Sequence, residues 1–147
     1  MHTGRTIQMH QQGYTLLEML VVVALVSIVL AIGVSSYSGL TQRVTAQNQA
    51  EQFRGLIRDG ATLAASRSLN LTLNVASGTA SLKNGTTTLR SARVNSISTG
   101  LTSAQTIAFD NTGRVVLPGS TSSLTVTVNG RNRVLQVSGI GQTRWQQ

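Results

Sequence analysis

The sequence predicts an α+β protein in which one long N-terminal helix packs on an antiparallel β-sheet domain. Helical spacing of apolar residues continues from about Tyr14 to Arg67, and from Leu69 onward apolar residues alternate with polar ones. A period of two is typical of strands that bury one face. Short turns rich in Asn and Gly separate the alternating segments, as expected for neighbouring antiparallel strands. A chain of 147 residues has room for one such domain.

The first part of the predicted helix is apolar on all sides. Residues 16–34 contain a single charged residue, Glu18. As a helix this run would be roughly 28 Å long, close to the ~30 Å hydrocarbon core of a bilayer. It exceeds the apolar core of a secretory signal peptide, which has about 7–15 residues. We therefore expect residues 14–37 to form a membrane-spanning segment, and an ordinary membrane anchor is one interpretation.

Glu18 requires a partner, because a charge buried in an apolar segment costs several kcal/mol unless it is paired. Cleavage between Gly13 and Tyr14 would create a free α-amino group four residues before this carboxylate. In a packed helical assembly, Glu18 of one subunit could then neutralise the amine of its neighbour.

The residues around Glu18 resemble the class III leader of type IV pilins and type II secretion pseudopilins. The resemblance is carried by the apolar run and by the motif before it, Gly13-Tyr14-Thr15-Leu16-Leu17-Glu18. It implies the type IV pilin fold, with residues 1–13 as a leader that prepilin peptidase removes. It also implies N-methylation of Tyr14 and a role for Glu18 in filament assembly.

Two positions depart from the usual pilin pattern. Tyr14 replaces the usual Phe as first mature residue, and Ser35 stands where major pilins carry a Pro. Loss of that Pro favours a minor subunit. Met9 offers a second start, which would leave a leader of five residues.

The charge of the leader predicts the topology. Arg5 would hold the leader on the cytoplasmic side, which places residues 38–147 in the periplasm. We thus expect a single-pass inner-membrane protein that moves to the pilus on the cell surface. The resemblance implies three partners: other major and minor pilins, prepilin peptidase and the inner-membrane assembly platform.

The second part of the predicted helix is amphipathic. Its apolar stripe consists of Leu40, Val44, Ala50, Phe53, Ile57, Ala61 and Ala64. Glycines weaken a helix by about 1 kcal/mol each relative to Ala. Bending or local melting is therefore expected at Gly33, Gly39, Gly55 and Gly60.

Six to eight strands are expected after the helix. The first contains Leu69, Leu71, Leu73 and Val75. Three turns are predicted between later strands, at Asn84-Gly85, at Asp110 to Gly113 and at Asn129-Gly130. The segment 91–103, rich in Ser and Thr, is predicted to be a loop.

The composition argues against an enzyme. Cysteine is absent, and both histidines, His2 and His10, lie in the leader. The chain has only four carboxylates, Glu18, Glu51, Asp59 and Asp110. Few side chains are therefore left that could bind a metal or act in nucleophilic catalysis, so no catalytic residue, metal or cofactor is expected. Asp110 is predicted to form a turn, and Glu51 and Asp59 to pair with Arg54, Arg58 or neighbouring residues.

The C-terminal half narrows the resemblance to the GspH/FimT (FimT/FimU-like) family of minor pilins and pseudopilins. The matching segments are Arg67 to Leu71, Thr106 to Val115 with Phe109 and Gly113, and the closing Gly-x-x-Arg tail. FimT-like members of competence pili bind DNA through a C-terminal Gly-Arg-x-Arg motif. That string occurs here at 130–133, before the last long strand. The aligned terminal position is 141–144, where Gln142 replaces an Arg, so the motif is either shifted or degenerate.

The charge distribution independently favours an anionic partner. Residues 38–147 hold eleven basic and three acidic residues, a net charge of +8. Arginine can grip two phosphate oxygens at once. We expect Arg131, Arg133 and Arg144 to gather at one end of the domain and to bind double-stranded DNA without sequence preference. The residues that could extend this patch are Arg114, Arg90 and Arg93.

Arg131 and Arg133 present a geometric problem, because on a regular strand they share a face with Leu135 and Val137. We expect them to lie past the end of the core. Trp145 could stack on a base or cap the sheet edge. The alternative for the arginines is a solvated surface.

Three functional interpretations remain open at this point. The chain is a structural minor pilin of a type IV pilus, a minor pilin that also captures DNA for natural transformation, or a type II secretion pseudopilin. A basic tip is expected of the DNA-capturing minor pilin and is not needed by a secretion pseudopilin, so it distinguishes these two.

Overall fold

The computed structural model describes residues 15–146, apart from the side chains of residues 32–36. Two compact units meet in sequence at Gly39 and Leu40. The described residues contain one long helix, nine strands and a short 3-10 turn. These are α1 Leu16–Arg67, β1 Leu71–Ala76, β2 Thr79–Asn84, β3 Thr87–Arg93, β4 Ile97–Ser98, β5 Thr106–Phe109, β6 Val115–Val116, the 3-10 turn Pro118–Ser120, β7 Ser123–Val128, β8 Arg131–Val137 and β9 Thr143–Gln146.

Helix α1 ends where the sequence predicts, at Arg67. Ser68 adopts a left-handed conformation with φ of 50°, and the N–H of Leu69 donates to the carbonyl of Ala64 at 3.0 Å. This six-to-one hydrogen bond is the Schellman motif, which satisfies a carbonyl that the helix leaves open. Leu69 then packs against the core, so it closes the helix and does not begin the first strand.

The apolar side chains of residues 16–30 are exposed in this chain. Their exposed fractions run from 48% at Val21 to 85% at Leu16. Across the described residues, we find no helix that combines the length and the apolar character needed to cross a bilayer. The predicted membrane segment, 14–37, therefore stays a prediction, and it includes Tyr14 and five side chains outside the described set.

The C-terminal half of α1 carries the buried stripe. Ala46, Ala50, Phe53, Leu56, Ile57, Ala61 and Ala64 are all buried. The prediction was wrong for Leu40 and Val44, which are 59% and 46% exposed, because the core begins only at Ala46.

Two antiparallel sheets cover this stripe. The five-stranded sheet has the order β3-β2-β1-β5-β6, and the four-stranded sheet has the order β4-β7-β8-β9. Side chains from both sheets and from α1 form one hydrophobic cluster, with Phe53, Leu73, Phe109, Val126 and Leu135 at most 1% exposed. This matches the predicted α+β class.

Two of the predicted turns are confirmed, and the first is shifted by one residue to Gly85-Thr86, because Asn84 pairs with Thr87. Asn129 and Gly130 both have positive φ, 53° and 73°, which is the type I′ pattern between β7 and β8. A fourth turn, Ser77-Gly78 with φ of 49° and 71°, joins β1 to β2 and was not predicted. The segment 91–103 is not wholly a loop, because β3 extends to Arg93 and β4 pairs with β7.

Three glycines allow close packing around Ala61 on α1. A Cβ at Gly60 would lie 2.7 Å from the Phe109 ring, so this glycine admits the ring. A Cβ at Gly141 would lie 2.3 Å from that of Ala61, and one at Gly113 would lie 2.7 Å from the Ala61 carbonyl oxygen. Both glycines also have positive φ, 77° and 82°.

Candidate functional site

The first turn of α1 holds Glu18, the predicted assembly residue. Its N–H donates to the carbonyl oxygen of Thr15 at 3.0 Å and to the Thr15 hydroxyl at 3.3 Å. Thr15 thus caps the helix, and the spacing Thr-x-x-Glu is that of a capping box. A carboxylate in the first turn also suits the positive end of the helix dipole. Gly13 and Tyr14, the predicted cleavage site, lie outside the described residues.

Arg131 and Arg133 lie on the core-facing side of β8. The pairing of β7 with β8 is continuous, with Val128 opposite Arg131 and Val126 opposite Arg133. Alternation therefore places both arginines on the face of the buried Leu135. Both are exposed, and no bulge turns them outward. Their partners Val126 and Val128 are buried in the core, so the arginines lie beside the core and the prediction that they lie past its end was wrong.

The two arginines line a cleft of about 350 Å³ that we call the basic cleft, formed by Arg43, Gln47, Val128, Asn129, Arg131 and Arg133. Its strand side is the β7–β8 turn, and its helix side is the pair Arg43 and Gln47. The Asn129 amide donates to the Arg43 carbonyl at 3.4 Å, which joins the turn to the helix. Among residues 15–146, none of the three arginines forms an ion pair.

Trp145 lies beside Arg133. Its indole N–H donates to Glu51 Oε1 at 2.7 Å, and the guanidinium carbon of Arg133 lies 5.9 Å from the ring centroid. That distance permits a cation–π attraction. The ring is half-buried against the core, which favours the cap interpretation over an open stacking platform.

Glu51 also anchors the last strand to α1. Its Oε2 accepts from Arg54 at 3.1 Å, and Arg54 Nε donates to the Thr143 hydroxyl at 3.1 Å. The predicted pairing of Glu51 with Arg54 is confirmed. Asp59 pairs instead with Arg90 on β3, at 2.6 Å.

The predicted gathering of the C-terminal arginines is only partly correct. Arg144 lies opposite Gln136 in the β8–β9 pairing, whereas Trp145 lies opposite Leu135. Because neighbouring residues of a strand point to opposite faces, Arg144 lies on the outer face of the sheet, away from Arg131 and Arg133.

The other predicted arginines do not extend the basic cleft. Arg90 and Arg93 lie on β3, at one edge of the five-stranded sheet, and Arg90 is paired with Asp59. Arg114 precedes β6, at the opposite edge of that sheet. Arg43 and Gln47 were not predicted as part of the site, although their i, i+4 spacing places them on one side of α1.

Asp110 forms the predicted turn between β5 and β6. Its Oδ1 accepts from the Thr112 hydroxyl and from the N–H groups of Thr112 and Arg114, the latter two at 2.9 Å. The hydrogen bond from the Thr112 hydroxyl, then that from the Arg114 backbone, lowers the pKa of Asp110 below its ordinary value of 3.8. Within the described part of the chain, no group of three or more His, Cys, Asp or Glu residues could hold a metal ion.

Comparison with known proteins supports both the motif and the fold. A family model described as the prokaryotic N-terminal methylation motif matches residues 8–34, the range that contains Gly13, Tyr14 and Glu18. The crystal structure of FimU, a type IV minor pilin of Pseudomonas aeruginosa strain PAO1, matches this chain with a TM-score of 0.54. The chain has the type IV pilin fold.

The match to FimU covers 74% of this chain and 92% of the FimU chain, at 19% sequence identity. The methylation motif and the pilin fold together confirm the predicted resemblance to type IV minor pilins of the FimT/FimU kind. A search of curated proteins finds no match.

Proposed function

We propose that this chain is a minor subunit of a type IV pilus that binds double-stranded DNA through Arg131 and Arg133. The observation that supports the pilus role is the methylation motif at residues 8–34 in a chain with the pilin fold. Prepilin peptidase cleaves after Gly13, and the new N-terminus at Tyr14 is methylated. The protein has no enzymatic activity of its own.

Assembly uses the apolar first half of α1. The sequence of residues 16–34 suits an anchor in the inner membrane, from which the assembly platform extracts the subunit. The exposed apolar side chains of residues 16–30 then pack against other pilins. Glu18 neutralises the α-amino group of a neighbouring subunit, because two opposite charges buried together cost far less than either one alone.

DNA binding depends on the basic cleft. Its arginines have no carboxylate partner among residues 15–146, so their charge is available to an external anion. Arginine suits phosphate because its planar fork donates two hydrogen bonds in parallel. Contacts of this kind go to the DNA backbone, so binding is independent of sequence and supports DNA uptake at the pilus tip.

The test is a titration of the full-length protein in detergent with labelled duplex DNA at several salt concentrations. Each neutralised phosphate contributes about −0.9 to the slope of log K against log salt. The double variant Arg131→Gln/Arg133→Gln should remove the one phosphate contact of the cleft and make the slope less negative by about 0.9. Arg144→Gln is the matched control, since this arginine lies on the outer face of the sheet.

A wild-type protein that fails to bind duplex DNA at low salt would contradict the DNA function and leave a structural minor pilin or a pseudopilin. Equal binding by the wild type and the double variant would move the DNA site elsewhere. Loss of binding in Arg144→Gln alone would also move the DNA site elsewhere.

A further inference from the structure

The basic cleft has a third cation that comes from the helix and not from the C-terminal strands. We propose that Arg43 completes a binding site for one phosphodiester group, acting together with Arg131 and Arg133. This inference rests on the proposed DNA function and adds a residue from α1 to the site.

The composition of the cleft favours an oxyanion over an apolar ligand. Five of its six lining residues are Arg, Gln or Asn, and only Val128 is apolar. All five polar side chains carry N–H donors. The volume of about 350 Å³ lies at the lower end of the range for small-ligand sites, about 300–1,000 Å³.

The helix side and the strand side of the cleft are in contact before any ligand arrives. The hydrogen bond from Asn129 to the Arg43 carbonyl, at 3.4 Å, links the β7–β8 turn to α1. The Glu51–Trp145 hydrogen bond fixes the ring beneath Arg133. A site that is ordered in advance loses less conformational entropy on binding.

Other clefts in the described part of the chain do not offer the same charge. The cleft beside β3 contains Arg90 with its partner Asp59, and another contains Arg54 with its partner Glu51. A phosphate would have to compete with a carboxylate at both places. A further cleft holds the single cation Arg144.

The first experiment measures how strongly the site holds duplex DNA. Because the three arginines share one phosphodiester, Arg43→Gln should weaken DNA binding at fixed low salt by about tenfold and leave the slope of log K against log salt nearly unchanged. Arg58→Gln, the same change on an exposed part of α1 outside the cleft, should leave the affinity for DNA unchanged.

The second experiment uses Trp145, the only tryptophan, as a reporter beside Arg133. Full-length protein in detergent is titrated with the dinucleotide dTpdT, which carries one phosphodiester, and with thymidine, which carries none. The fluorescence of Trp145 should change with dTpdT alone, and Arg43→Gln should weaken dTpdT binding by about tenfold, which corresponds to about 1.4 kcal/mol.

These measurements separate the inference from the proposed function. A normal affinity for DNA in Arg43→Gln, with a reduced affinity in the Arg131/Arg133 double variant, overturns the inference and keeps the function. Absence of DNA binding in every form, with a dTpdT signal that requires Arg43, keeps the phosphodiester site and overturns the function.

A phospholipid headgroup is the competing source of the same chemistry. Short-chain phosphatidylglycerol, compared with phosphatidylcholine, tests this source in the same fluorescence assay. A stronger response to phosphatidylglycerol than to dTpdT would overturn the assignment of the site to nucleic acid.

Discussion

The two halves of α1 differ in the exposure of their apolar side chains. In residues 16–30 these side chains are 48–85% exposed, whereas in residues 46–64 the stripe is at most 6% exposed. The first half is apolar on every side, while the second has polar residues between its buried positions.

The difference shows where each half finds its stabilising contacts. A helix that is apolar all round requires an apolar environment that its own chain does not provide here. A helix with one apolar stripe can be covered by a single layer, and the two sheets supply that layer. Substitutions in the first half should therefore affect assembly, and substitutions in the second should affect folding.

The largest expected effect is on assembly. Glu18→Ala would leave the neighbour's α-amino group without a partner, and breaking a buried pair costs about 3–5 kcal/mol. Incorporation into pili should fall more than about a hundredfold, as measured by immunoblotting of sheared pili. The thermal unfolding midpoint of the variant should match that of the wild type, and normal incorporation would contradict the proposed pairing.

Truncation of a core residue should have the next largest effect. Phe53 is fully buried, so Phe53→Ala should reduce the free energy of unfolding by about 3–5 kcal/mol. Val23→Ala, at a side chain that is 65% exposed in this chain, should leave it nearly unchanged in detergent. Chemical denaturation of both variants measures the difference, and equal losses would erase the distinction between the halves.

A smaller effect distinguishes two glycines within the second half. Gly60→Ala should be destabilising by about 1–3 kcal/mol, because the new methyl group would meet the Phe109 ring. Gly55 has open space around its Cβ position, so Gly55→Ala should stabilise the helix by about 1 kcal/mol. Thermal unfolding of the pair is the measurement, and two shifts of the same sign would show that propensity outweighs packing.

The smallest effect concerns the turn that covers the second half. Because folding lowers the pKa of Asp110, its carboxylate stabilises the folded state at pH values above the ordinary pKa of 3.8. This contribution is lost as the pH falls through the lower pKa of the folded state. Asp110→Asn should remove that part of the pH dependence, measured as the unfolding midpoint between about pH 6 and pH 2. An unchanged pH profile would show that the turn does not depend on the charge.

Local signals explain what could be predicted from the sequence. The end of α1 at Arg67 and the Asn129-Gly130 turn depend on nearby residues only, and both were predicted correctly. The exposure of Leu40 depends instead on where the sheets reach along the helix, which helical periodicity does not encode. The Ser77-Gly78 turn was missed because Ser is an uncommon residue at positive φ.

The candidate site was likewise predictable only where nearby residues determine its geometry. The face of Arg131 and Arg133 followed from strand alternation, but their position beside the buried Val126 and Val128 did not. The separation of Arg144 depends on the β8–β9 register, with Arg144 opposite Gln136. The contribution of Arg43 depends on a contact between residues 86 positions apart, Arg43 and Asn129. Neither relation has a signal in a single sequence.

The close approach of Gly141 to Ala61 makes these two positions interdependent in any mutant library. A methyl group at 141 would collide with the methyl group at 61, so Ala61→Gly should relieve part of the damage caused by Gly141→Ala. The relief stops short of full recovery, because the φ of 77° still penalises a side chain at 141. Gly113 differs, since its neighbour is the Ala61 carbonyl oxygen, which no substitution at 61 can remove. Epistasis should therefore link 61 with 141 and leave 113 intolerant on its own.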